Sequence, residues 1–133
     1  MAASQPMAEP VLDPPVVDMP VLDMPVLDLD VLATVKDVLE GPYLQQMIDV
    51  LERTSLEILV ELTRTLDAGD LHQTQRLAHK IKGSAGNVGL RQVWAIAAQI
   101  ERSDTIDHAR DLFARFPAVL NEGLTQIKAA TAV

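Results

Sequence analysis

The chain has 133 residues, 48% of them apolar but only 3% aromatic, no cysteine, and a formal charge of −8. One domain of that length with an aliphatic core suits helix-on-helix packing, and the missing cysteines exclude a disulfide framework and thiolate chemistry. The acidic balance argues against a nucleic-acid partner, and no apolar run approaches the ~18 residues of a membrane span, so no membrane insertion is expected.

The start of the chain lacks the basic-then-apolar pattern of a secretory signal, so the expected location is the cytoplasm, which also fits the lack of cysteine. Residues 1–27 read as a Pro-rich linker, disordered or extended. Val11-Leu12-Asp13-Pro14-Pro15, Val16-Val17-Asp18-Met19-Pro20 and Val21-Leu22-Asp23-Met24-Pro25 are copies of one pentad, and Val26-Leu27-Asp28 opens another. Proline at that density blocks helix and favours extended backbone, and so few copies are too short for a solenoid. The recurring Val and Leu leave a second reading open, in which the segment docks on the folded domain. A Pro-rich ligand for a partner's groove is a third.

Residues 28–133 read as helices throughout. Asp28 or Asp30 caps a short helix holding Val31, Leu32, Val35 and Leu39. Gly41-Pro42 ends it and opens a second helix that runs to about Leu66, with Leu44, Met47, Ile48, Leu51, Ile58, Leu59 and Leu62 at helical spacing. Gly69 suits a left-handed helix end, and Asp70 with Gln73 reads as a capping box for a third helix ending near Asn87 to Gly89. A fourth runs from about Leu90 to Arg102, with Val93, Ile96, Ala97 and Ile100 inward. After a turn at Ser103–Asp107, Asp107 is the expected cap of a last stretch to about Ala129, broken or kinked near Phe116 by Pro117. The expected fold is all-α: an antiparallel up-and-down four-helix bundle with a short extra N-terminal helix.

The third helix carries the most information. Leu71, Thr74, Leu77, Ala78, Ile81, Ala85 and Val88 cluster on one side. His79 falls roughly 150° from the centre of that stripe and points at solvent. Helical side chains lean toward the N-terminus, so a side chain at i+4 would cover the imidazole. That position is Gly83, and mid-helix glycine costs about 1 kcal/mol against alanine. A helix that accepts this cost beside an exposed histidine keeps the ring open to a large partner. Gly86, Gln75 and His72 share the face, and Lys82 lies at its edge. No acidic residue occurs between Asp70 and Glu101, a stretch that holds Arg76, Lys80, Lys82 and Arg91. A positive field in an acidic protein suits a phosphoryl group and an acidic partner site, although charge runs are often only solvated faces.

Ala78, His79, Ile81, Lys82, Gly83, Ser84 and Ala85, followed by Val88 and Gly89, resemble the motif of the histidine phosphotransfer (HPt) family of two-component phosphorelays. The resemblance covers about residues 28 to 130 and is greatest to the C-terminal HPt domains of hybrid sensor kinases. It implies that His79 is the phosphoacceptor through its distal ring nitrogen, with Lys82, one turn on, at a phosphoryl oxygen. Gly83 and Gly86 would serve clearance, and with Gln75 and Arg76 would face the docked partner. Glu101 matches the position at which several family members hold the proximal N–H of the histidine with Glu or Gln, which fixes the tautomer. The plain alternative, a solvated helical glutamate, stays open. The implied partners are response-regulator receiver domains, which bring the Mg²⁺ and the aspartate; this chain, expected to be monomeric, would need no cofactor of its own and would be a carrier, not an enzyme.

Other chemistry finds little support. His72 and His108 have no ligand set around them, so a zinc site is not expected. No P-loop, Gly-rich nucleotide motif or kinase signature is present, so no ATP site is expected. The contrasting function is a helical interaction module that binds a partner without phosphorylation. Such a module would be expected to lose the histidine or the glycine at i+4, and the chain keeps both.

Overall fold

Six helices follow one another across residues 20–132, the span that the structure, a computed structural model, describes. They are α1 (Leu29–Val38), α2 (Pro42–Asp67), α3 (Leu71–Val88), α4 (Arg91–Glu101), α5 (Ile106–Phe113) and α6 (Phe116–Thr131). A single 3-10 turn, Val21–Asp23, precedes them. The fold is all-helical, and none of these helices is long and apolar enough to cross a membrane.

Local chemistry sets the helix ends. The Asp28 carboxylate accepts from the N–H groups of Asp30 and Val31 at 3.1 and 3.2 Å, so Asp28 and not Asp30 caps α1. Gly41, at φ +53°, hands the chain to Pro42 at the start of α2, where a missing N–H costs nothing. Asp70 accepts from Gln73 N–H at 3.1 Å and starts α3.

The cap of the C-terminal stretch differs from expectation. Thr105, not Asp107, is the cap: its hydroxyl accepts from His108 N–H at 3.1 Å, while Asp107 sits in the first turn and pairs with Arg110. The break expected near Phe116 is present, and the stretch is two helices. α5 stops at Phe113, and α6 restarts at Phe116 with Pro117 in its first turn, where proline is tolerated. The Phe113 and Phe116 rings stack across the break at 6.0 Å. Arg110 crosses to the open end of α2 and donates to the Leu66 carbonyl at 2.8 Å.

α2, α3, α4 and α6 form the bundle around one aliphatic core that includes Ile48, Leu62, Ile81, Ile96, Leu120 and Ile127. A satellite cluster of Leu66, Ala78, Ile100 and Ala109 packs α5 on the bundle's end. α4 can approach its neighbours closely because Ala95, Ala97 and Ala98 face inward and because α6 offers Gly123, where a Cβ would stand 3.2 Å from Leu90. Thr74 belongs to the buried stripe of α3 although it is polar: its hydroxyl lies 2.8 Å from that of Thr65 and also bonds the Asp70 carbonyl, so the group is satisfied. Leu71 and Leu77 are half-buried at the stripe's edge.

For residues 20–27 the packing matches the docked reading of the Pro-rich segment. Val21 and Met24 are 5% and 4% exposed and belong to the main core. The Val26 carbonyl accepts from Arg91 N–H at 2.9 Å, Asp28 N–H donates to the Gly89 carbonyl at 2.8 Å, and Leu27 and Leu90 form an isolated β-bridge. Proline keeps α-helix out of this segment but allows a 3-10 turn and does not prevent two side chains from seating on the bundle. The linker reading of residues 1–19 lies outside the described residues.

A truncation beginning at Pro20 keeps the strap contacts and serves as the reference for urea stability. One beginning at Val26 should lose on the order of 2–3 kcal/mol, from two buried side chains less the entropy of holding the strap. Equal stability of the two truncations would show that Val21 and Met24 contribute nothing.

Candidate functional site

The Gly89 turn folds α4 back along α3, so the last residue of α4, Glu101, comes to lie beside the middle of α3. His79 Nδ1 is 2.7 Å from Glu101 Oε2. Lys82 Nζ is 2.6 Å from Glu101 Oε1. One carboxylate is thus divided between an imidazole and an ammonium. The His79 side chain is 67% exposed, whereas those of Lys82 and Glu101 are 28% and 26% exposed. The ring stands in solvent and its support is recessed beneath it.

The electrostatics follow from these distances. Partial burial pushes the Glu101 carboxyl up, but the hydrogen bonds from Lys82 and His79, together with their charges, outweigh it and hold the group below its ordinary value. An ionised carboxylate only accepts, so the hydrogen bond requires the proton on Nδ1. In the neutral ring that leaves the lone pair on Nε2, the atom directed away from the support. The pairing read from sequence for His79 and Glu101 is present. Lys82 reaches Glu101, a partner that the sequence reading did not assign to it.

The two glycines of the face differ. A Cβ at Gly83 would meet nothing within 4 Å, so the chain's own packing does not require glycine there. At Gly86 a Cβ would stand 3.2 Å from Trp94 Cδ1, so this glycine has a reason inside the fold: the Trp94 ring lies against it. The Arg91 guanidinium lies over the same indole, 5.6 Å from the ring centroid. The sequence reading missed Trp94 and counted Arg91 only toward the positive field; the only signal for their contact was a lone tryptophan three residues after an arginine. Gln75 is committed as well. Its amide donates to the Ser103 carbonyl at 2.8 Å and ties down the turn that follows Glu101. Arg76 is exposed, and with His72, Gln75, Lys80 and the His79–Glu101 pair it lines an open groove along α3. Among the described residues no group of three or more His, Cys, Asp or Glu side chains is placed to hold a metal.

The lowered Glu101 value has a definite sign. Its contribution to stability is complete above the unfolded carboxylate value of about 4.3 and is lost as pH falls through the lower folded value. Glu101→Gln should flatten that acid limb of the stability profile in urea titrations from pH 6 downward. An unchanged limb would place the acid sensitivity in other carboxylates.

A comparison with protein-family models matches residues 46–130 to the Hpt domain. No curated protein and no solved structure matches the chain. The matched span covers well over half of the sequence and contains His79, Lys82, Gly83 and Glu101, and the chain belongs to the Hpt domain family.

Proposed function

We propose that this Hpt domain is a phosphorelay intermediate: His79 accepts a phosphoryl group from the aspartate of a receiver domain and passes it to the aspartate of another. The observation that supports this most directly is the exposed imidazole whose Nδ1 is held by an ionised carboxylate. In the forward step the Nε2 lone pair forms the N–P bond while the P–O bond to the receiver's aspartate breaks, and the carboxylate leaves with that electron pair. Phosphorylation puts positive charge on the ring, and Glu101 faces it across the retained Nδ1–H. Onward transfer reverses the step, with Nε2 as the leaving atom. The Mg²⁺ that neutralises the transferring oxygens belongs to the receiver.

Phosphoryl transfer needs positioning and charge neutralisation more than covalent help. This chain supplies a recessed anchor beneath an accessible nitrogen, and Lys82 close enough to that anchor to serve the phosphoryl group as well. Hpt domains are phosphocarriers, and no ATP site is read in this one, so we assign it no activity without a partner. We place the carrier in the cytoplasm with its receivers, as a monomer, either free-standing or as the tail of a hybrid kinase.

His79→Gln should abolish uptake of radiolabelled phosphate from a phosphorylated receiver while changing stability by no more than about 0.5 kcal/mol, since the residue is exposed. Gly83→Leu should fold, with helix stability raised by roughly 0.5–1 kcal/mol through propensity, and yet transfer at least about tenfold more slowly because the side chain crowds the ring. Label on the His79→Gln protein would move the acceptor elsewhere, with His72 next in line. Wild-type transfer by Gly83→Leu would remove the clearance argument.

Lys82→Ala and Lys80→Ala remove the same charge from one helix. Lys82→Ala should slow transfer or shorten phosphohistidine lifetime, and its effect should persist at high ionic strength. Lys80→Ala should matter less, and its effect should fade as salt screens charge beyond about 8 Å or less. Equal effects that vanish together in salt would reduce Lys82 to general field.

A further inference from the structure

The strap from Pro20 to Asp28 is held in a specific way. Its turn closes through Asp23 N–H to the Pro20 carbonyl and Met24 N–H to the Val21 carbonyl, each at 3.0 Å. That turn sends Val21 and Met24 into the core and leaves Leu22, Asp23 and Pro25 outside. The groove along the first turn of α4 grips the backbone. Gln92, itself only 6% exposed, donates its amide to the Met24 carbonyl at 2.8 Å, and Arg91 N–H donates to Val26. The groove therefore recognises a proline-led turn with Val at its first position and Met at its fourth, plus carbonyls that any sequence offers.

The chain holds this recognition sequence twice. Pro15–Asp23 repeats Pro20–Asp28 with one change, Val17 for Leu22. That change falls where the side chain is 61% exposed and makes no demand on the groove. The preceding copy, Pro10–Asp18, is different: Pro14 stands where the groove takes Met24. Proline has neither the thioether side chain nor the N–H that closes the turn. The structure thus separates a competent copy from an incompetent one.

We propose that the groove along the first turn of α4 is a binding site for a Val-x-x-Met turn, and that its second occupant is Pro15–Asp23 of the same chain. In this second seating Met19 takes the Met24 site, Val16 takes the Val21 site, and Arg91 N–H bonds the Val21 carbonyl. Met24 to Asp28 then form a loop between the strap and α1. The seating observed is favoured because Asp28 reaches Gly89 and caps α1 without that loop, whose closure costs entropy. Repeats leave a register weakly specified, and here the specification comes from the tether alone.

A double-mutant cycle on the full chain tests this, with Met19→Ala, Met24→Ala and the pair read by melting temperature and by amide exchange at Arg91. Met19→Ala alone should change neither. Met24→Ala should lower the melting temperature slightly and keep Arg91 protected, because Met19 replaces the lost side chain. The pair should melt about 5 °C or more below Met24→Ala and exchange Arg91 at least about tenfold faster. A double variant equal to Met24→Ala in both readouts overturns the proposal, as does a Met24→Ala protein that does not fold. Arg91 protection that rises with protein concentration in Met24→Ala would assign the occupant to a second molecule and overturn the seating in cis.

Discussion

The turn at Gly89 is the constraint on which the remaining structure depends. Its φ of +86° closes α3, with the N–H groups of Gly89 and Leu90 both returning to the Ala85 carbonyl. A Cβ there would lie 2.7 Å from the Asp28 carbonyl, so glycine is required twice, once for the conformation and once for the close approach of the strap. The turn sets the antiparallel register of α3 and α4, and that register places Glu101 beside His79. The same turn presents its carbonyl to Asp28 and so locates the start of α1. A helix end, the His79–Glu101 pairing and the seat of the N-terminal strap share one residue.

The site follows from that register with little added machinery. A carboxylate at the end of α4 is only partly withdrawn from water, and two cationic or proton-donating neighbours keep it charged. Its two oxygens have separate tasks. One orients the ring, and the other holds an ammonium whose charge stays near the ring without covering it. Gln75 steadies the turn after Glu101 from the same helix that carries the histidine, so the support is braced from both sides. Rigid positioning of an exposed group is what a carrier requires, since its partner brings the rest.

Much of this was legible in the sequence, where the signals are local. Asp28, Gly41-Pro42, Asp70 and Gly69 act over a few residues, and their roles follow from side-chain and backbone chemistry alone. The exposure of His79 follows from the period of its helix. Features that need a second element were harder to see. The Lys82–Glu101 pair, the contact of Trp94 with Gly86 and the burial of Val21 and Met24 each depend on where α4 lies. Proline density in the N-terminal segment pointed to a linker and left docking only as a second reading, because a local rule against helix says nothing about a groove formed some seventy residues later. Thr105 and Asp107 are both good caps two residues apart, and composition does not choose between them.

Trp94 is the only tryptophan in the chain. It is half-buried against α3 at Gly86, two turns along the helix from His79, about 10 Å by helical rise, and its indole lies beneath the Arg91 guanidinium. Arg91 also holds the strap through its backbone N–H. An indole so placed is a built-in optical probe. Its emission responds to the water and charge around the ring, so one unlabelled fluorophore reports both the seating of the strap and the arrival of any partner over the His79 face.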